Sequence, residues 1–326
     1  MEYRPEMQFP DMPIPDAKGA RRAASFCAFA AVAETAIAYL FIIAFSFLTR
    51  DAAFDSDTYN DLLLIVNAVA VDLIAMPLCW LLLLRRVPKN PSPEIGARTP
   101  LSMKKLLFFL PCAFVLMYAG SLTGKLIDLL FKGGLSDVVF DTMSEVDPWT
   151  TLLCAVIVGP IAEELFFRKA MIDRLSAYHP MDAILFSALL FGLIHGNLIQ
   201  FLYAFPLGVL FGIIYYRTQN IGYTILLHVA VNTVGGLLPV LVQRLETAGE
   251  TNEGMAMLGT LATMLIGSLT AGLVVVGVIF LIRGRRQFLP IESDVPRFRR
   301  PFYINAGFIV ACVVFTGLFI MTEWAS

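Results

Sequence analysis

The feature that most constrains this chain is a series of long apolar runs separated by short polar connectors. A helix needs about 20 consecutive apolar residues to cross a bilayer, and the chain has about nine runs near that length. They cover residues 24–48, 61–84, 104–130, 149–176, 181–198, 200–216, 221–242, 256–282 and 302–322. With 58% hydrophobic residues, 15% charged residues and a mean hydropathy of +0.74, the composition differs from that of soluble domains. The sequence therefore predicts an all-α polytopic membrane protein, a bundle of about eight or nine transmembrane helices.

The fifth and sixth runs are short and meet near Gly196-Asn197. Either one of them is re-entrant or the pair forms a tight helical hairpin. A re-entrant piece would leave eight spans and move the C-terminus to the other side. Two GxxxG spacings in this region, Gly192/Gly196 and Gly208/Gly212, predict close helix packing within the bundle rather than a dimerisation face.

The distribution of Lys and Arg predicts the orientation. If nine spans begin from a cytoplasmic N-terminus, 19 of the 24 Lys and Arg residues fall in inner segments. Three fall in outer segments (Arg50, Lys132 and Arg244), and two lie within spans (Lys125 and Arg168). Because positive charge accumulates in cytoplasmic loops, we expect a multi-pass protein of the cell membrane with residues 1–23 in the cytoplasm.

Charge and cysteine content exclude other classes. A net charge of −2 over 326 residues gives no electrostatic basis for binding nucleic acid. The five cysteines stand singly in apolar runs without CxxC spacing, so we expect reduced thiols and neither disulfides nor metal ligands. They are Cys27, Cys79, Cys112, Cys154 and Cys312.

Two adjacent carboxylates, Glu163 and Glu164, interrupt the fourth apolar run. A charge at the centre of a spanning helix costs roughly 2.5–3.5 kcal/mol, which makes such a residue a candidate for function. Arg168 lies one turn beyond Glu164 on the same helix face and is expected to be its partner. Glu163 points about 100° away and has no local partner.

Two of the three histidines, His195 and His228, also lie inside apolar runs. His228 and Asn232 are four residues apart and face the same way, as two side chains that share a ligand must. Counted from the cytoplasmic helix ends, Glu163 lies about 20 Å deep, His195 about 21 Å, Asn232 roughly 17 Å and His228 roughly 10 Å. Three helices are thus expected to bring polar groups to overlapping depths. His179 precedes Pro180 in a loop, and no role is expected for it.

A carboxylate, two imidazoles and an amide at one buried site favour hydrolysis. Glu163 could take a proton from water while His195 holds that water for attack. His228 and Asn232 could donate hydrogen bonds to the oxygen that becomes negative in the tetrahedral intermediate. No serine or cysteine lies within these motifs, which makes a covalent nucleophile the less economical mechanism.

The three motifs resemble those of a known family of membrane proteases. In order along successive apolar runs they read Glu163-Glu164-x-x-x-Arg168, Phe191-x-x-x-His195 and His228-x-x-x-Asn232. This pattern is similar to that of the type II CAAX prenyl endopeptidases and their bacterial relatives, the CPBP or abortive-infection-like intramembrane proteases. The resemblance covers roughly residues 150–240.

The resemblance implies a glutamate-dependent intramembrane endopeptidase whose cavity is reached from the cytoplasm. It implies that Glu163 and His195 activate the water, that Glu164 pairs with Arg168, and that His228 and Asn232 form the oxyanion hole, with Phe191 in support.

The chain then divides into N-terminal transmembrane helices (24–148), a catalytic core (149–242) and C-terminal transmembrane helices (243–326). The expected partners are membrane lipid and a peptide or protein substrate, either CAAX-like or another membrane-associated peptide, and no cofactor is expected.

Three other readings stay open. Glu163, His195 and His228 could ligate a catalytic zinc, although HExxH is absent and the nearby Arg168 disfavours a dication. A proton-coupled transporter would use acidic and histidine side chains within spans. Glu34, Asp72, Lys125 and Asp128 are further charges of that kind, and they are expected to form inter-helix pairs or to lie at interfaces. A non-catalytic immunity or partner-binding protein could also keep the fold.

Overall fold

The structure is a computed structural model, and it describes residues 16–88, 101–130, 146–284 and 299–324. The described residues leave out positions 1–15 of the N-terminal segment and the acidic stretch before Val146. They also leave out most of the polar connectors 87–100 and 289–301. Seven of the basic residues that predict the orientation are left out as well: Arg4, Lys89, Arg98, Lys132, Arg285, Arg286 and Arg297.

Ten helices account for nearly all of the described residues. They are α1 Ala17–Thr49, α2 Ser56–Arg86, α3 Met103–Leu130, α4 Pro148–Leu175, α5 Pro180–Leu193, α6 Leu198–Thr218, α7 Ile221–Gly249, α8 Glu253–Arg283, α9 Arg299–Tyr303 and α10 Ala306–Trp324. The structure is 89% helical and has no strand in the described ranges, which confirms the predicted all-α membrane fold.

Short polar residues at the ends of the connectors set where many of these helices begin. Each accepts a hydrogen bond from a backbone N–H of the first turn, which would otherwise lack a partner. The N-caps of this kind are Asp16, Asp55, Asp147, Asn197, Asn220 and Asn252. His179 caps α5 in the same way through Nδ1, which accepts from the N–H of Asp182 at 3.3 Å. It therefore has a structural role that the sequence did not predict.

Seven of the ten helices are long and apolar enough to cross a membrane: α1 to α4 and α6 to α8. α5 has 14 residues and is therefore about 21 Å long, less than the roughly 30 Å of a bilayer core. α10 begins at Ala306, after a break at Ile304-Asn305 that divides the predicted run 302–322.

The short helix α5 forms an antiparallel hairpin with α6, as one of the two sequence interpretations predicted. Three glycines allow this close packing. A Cβ on Gly192 would lie 2.9 Å from Phe201, and one on Gly208 would lie 3.1 Å from Ala188. A Cβ on Gly212 would lie 2.8 Å from Ile184. These glycines therefore permit close contact inside the chain, in agreement with the expected packing. Gly196 occupies the turn between the two helices with a φ of 70°, and a Cβ built on it would have no neighbour within 4 Å.

The hairpin lies against α4 on one side and α3 on the other. Gly120 of α3 contacts the backbone of α6 directly, and the buried Phe167 and Phe191 bring α4 and α5 together at 5.4 Å between ring centroids. The last helix returns to the first, since the N–H of Gly307 donates to Ser25 Oγ at 3.0 Å. α4 and the α5–α6 hairpin are thus held at the centre, and they carry most of the candidate site.

We predict that Gly120→Ala lowers the stability of the protein. In a helix without such contacts, replacing glycine with alanine would instead raise the free energy of unfolding by up to about 1 kcal/mol. The new Cβ would lie 2.5 Å from Leu202 O and from Tyr203 Cα, so that α3 and α6 must separate. Overpacking of this kind costs about 1–3 kcal/mol. The measurement is the apparent unfolding temperature of the purified protein in detergent.

Gly272→Ala in α8 is the matched control, because its Cβ would have no neighbour within 4 Å. Its unfolding temperature should stay the same or rise. Equal unfolding temperatures for the two variants would contradict the tight contact between α3 and α6.

Candidate active site

The site is built around a buried ion pair on α4. Arg168 Nε lies 3.2 Å from Glu164 Oε2, and the two side chains expose 1% and 0% of their surfaces. The four-residue spacing predicted this pair. The segment Glu164–Ile172 is wound as a π-helix, so its turns are wider than those of the α-helical Gly159–Glu163 before it.

Phe191 of α5 connects this pair to both histidines. Its ring stacks on the guanidinium of Arg168, with 4.1 Å from Cζ to the ring centroid, and Phe211 of α6 contributes a second ring at 5.7 Å. The edge-to-face contacts of Phe191 with His195 and His228 are 5.0 and 5.8 Å between centroids. Phe191 was predicted only as a supporting residue, and in the structure it contacts residues of all three motifs.

His228 of α7 lies between the two glutamates. Its Nδ1 is 3.0 Å from Glu164 Oε1, and its Nε2 is 3.6 Å from Glu163 Oε2. Because a carboxylate only accepts hydrogen bonds, Nδ1 carries the proton that is donated to Glu164. The Nε2 atom then has a hydrogen only when the ring is an imidazolium. Glu163 exposes 19% of its side chain and is the more accessible of the two carboxylates.

His195 is fixed in one tautomer. It lies in the turn between α5 and α6, and its Nδ1 is 2.7 Å from the carbonyl oxygen of Phe191. A carbonyl oxygen cannot donate, so Nδ1–H is the donor and Nε2 has its lone pair available. The ring is half-buried and within electrostatic range of Glu163 and His228. It can therefore accept a proton or hold a water molecule.

Asn232 of α7 is anchored to α4. Its Nδ2 donates to the carbonyl oxygen of Ala155 at 2.9 Å, within the π-helical stretch Leu152–Val158. This bond engages one of the two amide hydrogens. The sequence predicted a ligand shared by His228 and Asn232, whereas the structure directs His228 to the glutamates and Asn232 to the α4 backbone.

Several residues of the site were not predicted. Thr224, one turn before His228, is fully buried and faces Glu164, and Phe211 packs against His228 at 5.5 Å. A polar residue four positions before a histidine in an apolar run is the only sequence signal for Thr224. Glu34 of α1 and Asp72 of α2 were expected to form inter-helix pairs or lie at interfaces, and the structure brings both within electrostatic range of Glu163.

The Nδ1 atoms of both histidines of the site are engaged by protein groups, so Nε2 is the nitrogen of each ring that a ligand could reach. Nδ1 of His228 is taken up by Glu164, and Nδ1 of His195 by a backbone carbonyl. Within the four described stretches, no group of three or more His, Cys, Asp and Glu side chains is arranged to hold a metal ion. The five cysteines are free thiols.

Comparison with known proteins agrees with the resemblance drawn from the motifs. Residues 145–234 match the family model described as type II CAAX prenyl endopeptidase Rce1-like, and this segment contains all three motifs. The chain is 29% identical over 168 residues to a Bacillus subtilis (strain 168) protein provisionally named membrane peptidase YdiL. The alignment covers 50% of this chain and 67% of that protein. No solved structure matches the chain.

We predict that Arg168→Met strongly destabilises the protein, because it leaves the carboxylate of Glu164 buried without its cation. Breaking one side of a buried ion pair costs about 3–5 kcal/mol. The double variant Glu164→Gln with Arg168→Met removes both charges and should regain much of that loss. Unfolding temperatures of the two single variants and the double variant form a double-mutant cycle. Additive losses would show that the pair does not couple.

Proposed function

We propose that the chain is a CPBP-family intramembrane endopeptidase that hydrolyses a peptide bond with water activated by Glu163 and His195. The match of residues 145–234 to the Rce1-like family model supports this proposal. The position of His228 supports this most strongly. A buried imidazole between two carboxylates, one ion-paired and one accessible, provides an acid and a base within one site.

In the proposed first step, Glu163 acts as the general base. A water molecule held between its carboxylate and Nε2 of His195 attacks the peptide carbonyl carbon, and Glu163 takes the proton. The C–N bond then breaks, and the proton passes from Glu163 to the leaving nitrogen. Glu163 and His195 are thereby restored as water is consumed, and no covalent enzyme intermediate forms.

The negative oxygen of the tetrahedral intermediate would be stabilised from α7. In its imidazolium form His228 presents Nε2–H, while Glu164 holds Nδ1–H on the opposite side of the ring. Asn232 contributes the second hydrogen of its amide, since the first is bonded to Ala155 O. Glu164, held by Arg168, would thus act by positioning His228.

The proposed substrate is a membrane-associated peptide or protein, either CAAX-like or of another sequence. We also propose that the protein resides in the cell membrane with its N-terminus in the cytoplasm and membrane lipid around its spans. The apolar helices and the family support this setting. No nucleic acid or cofactor takes part in the proposed reaction.

We predict that Glu163→Gln and His195→Ala each lower kcat for a quenched fluorescent reporter peptide by at least about 10²–10⁴-fold, the usual contribution of a general base. His228→Ala should have a similar effect, because it removes an oxyanion donor. The assay uses the full chain in detergent, with expression and unfolding temperature recorded for every variant.

His179→Asn is the matched control. It removes the third histidine but keeps a side chain that caps helices well. Its kcat should equal that of the wild type. Full activity in Glu163→Gln would refute the glutamate mechanism.

We predict that cleavage continues after treatment with EDTA or 1,10-phenanthroline, because no proposed step uses a metal. The measurements are the rate after chelation and dialysis, and the metal content of the active protein. Loss of activity upon chelation and its return with added zinc would contradict this mechanism and favour a metalloprotease.

A further inference from the structure

An acidic pair lies beside Glu163, on the side served by α1 and α2. Glu34 exposes 2% of its surface and Asp72 exposes 8%, so both are buried. The two carboxyl groups lie within electrostatic range of each other and of Glu163. Three acidic side chains from three helices thus converge within the membrane-spanning bundle.

Gly159 leaves a small notch next to Asp72. It lies one turn before Glu163 on the same side of α4. A Cβ built on Gly159 would be 3.9 Å from Asp72 Oδ2, and its only other neighbour within 4 Å would be the carbonyl oxygen of Cys154 at 3.3 Å. The notch is therefore bounded by a carboxylate and lies about 5–6 Å along the helix from the proposed general base.

Among the residues that the structure describes, no Lys or Arg forms an ion pair with Glu34 or Asp72. Arg168, the permanent cation of the site, is paired with Glu164, and both histidines are held by other groups. Glu34 accepts a hydrogen bond from the hydroxyl of Thr35 at 3.2 Å.

Asp72 has no hydrogen bond or ion pair with any residue in the described ranges, although more than nine-tenths of its surface is buried. An acidic side chain within a span is costly unless a positive or hydrogen-bonding group compensates it.

We propose that Asp72, supported by Glu34, forms a subsite for a cationic side chain of the substrate, the ammonium of lysine or the guanidinium of arginine. The proposal rests on the function proposed above, because it places this subsite beside the residue that activates water. An extended peptide advances about 3.3–3.6 Å per residue, so the basic residue lies within about two positions of the bond that is cut.

The test compares peptides that differ only in charge. The starting point is a neutral, quenched fluorescent peptide that the wild type cleaves. In one set of peptides a single lysine stands at each position in turn. In the matched set norleucine, which has a similar length and no charge, stands at the same positions. One position should favour lysine by about 10–100-fold in kcat/KM, mainly through KM, because a buried charge pair across an interface is strongly coupled. Asp72→Asn should abolish this preference, so that the ratio of kcat/KM for the lysine and norleucine peptides falls to about 1 at that position, whatever the rate of the variant itself.

Asp128→Asn is the matched control, since it replaces a carboxylate with an amide on α3, away from the notch. It should keep the preference for lysine. Gly159→Ala should weaken the preference, because its methyl group occupies the notch. If no position favours lysine, or if Asp72→Asn retains the preference, the subsite does not exist.

A binding measurement separates this proposal from the proposed reaction. Fluorescence anisotropy gives Kd for the lysine and norleucine peptides with His195→Ala, and with His195→Ala combined with Asp72→Asn. Tighter binding of the lysine peptide to the first variant alone supports the subsite even if the wild type cleaves neither peptide. Cleavage without any difference in binding between the two peptides would refute the subsite and leave the hydrolytic mechanism intact.

Discussion

The ion pair between Glu164 and Arg168 is a buried charge pair within an apolar bundle, and the surrounding site is arranged to compensate it. Desolvation of each ion costs several kcal/mol, which a single contact of 3.2 Å does not offset alone. Phe191 and Phe211 place ring faces against the guanidinium, and His228 donates to the carboxylate. The positions of α5, α6 and α7 next to α4 therefore depend on one electrostatic requirement.

Phe191 shows how this requirement fixes the geometry of the second motif. Its ring lies against Arg168, and its carbonyl oxygen accepts from Nδ1 of His195, four residues later. The spacing of one helical turn thus ties the orientation of the imidazole to the position of the cation. Any shift of α5 that weakened the ring contact would also move the nitrogen that is proposed to hold water.

The sequence predicted the features that depend on local periodicity or run length. These are the apolar helices, the pair of Glu164 with Arg168, and the hairpin at Gly196-Asn197. It could not predict that Glu34 and Asp72 approach Glu163, because no spacing relates residues on three separate helices. Nor could it predict the hydrogen bond from Asn232 to the carbonyl oxygen of Ala155. Ala155 lies in a π-helical stretch, where the backbone hydrogen-bonding pattern differs from that of an α-helix, and no residue pattern in the sequence indicates such a stretch.

The charges around Glu163 are distributed unevenly, and this distribution bears on how a substrate would lie. The basic groups, Arg168, His195 and His228, come from α4, the α5–α6 turn and α7, whereas the acidic groups, Glu34 and Asp72, come from α1 and α2. Electrostatic interactions act strongly in a site of low dielectric constant. A peptide whose carbonyl oxygen becomes negative gains most when that oxygen faces the basic groups, and a cationic side chain gains most beside the acidic groups. The two preferences together favour one direction of the chain through the site, with the scissile bond held beside Glu163.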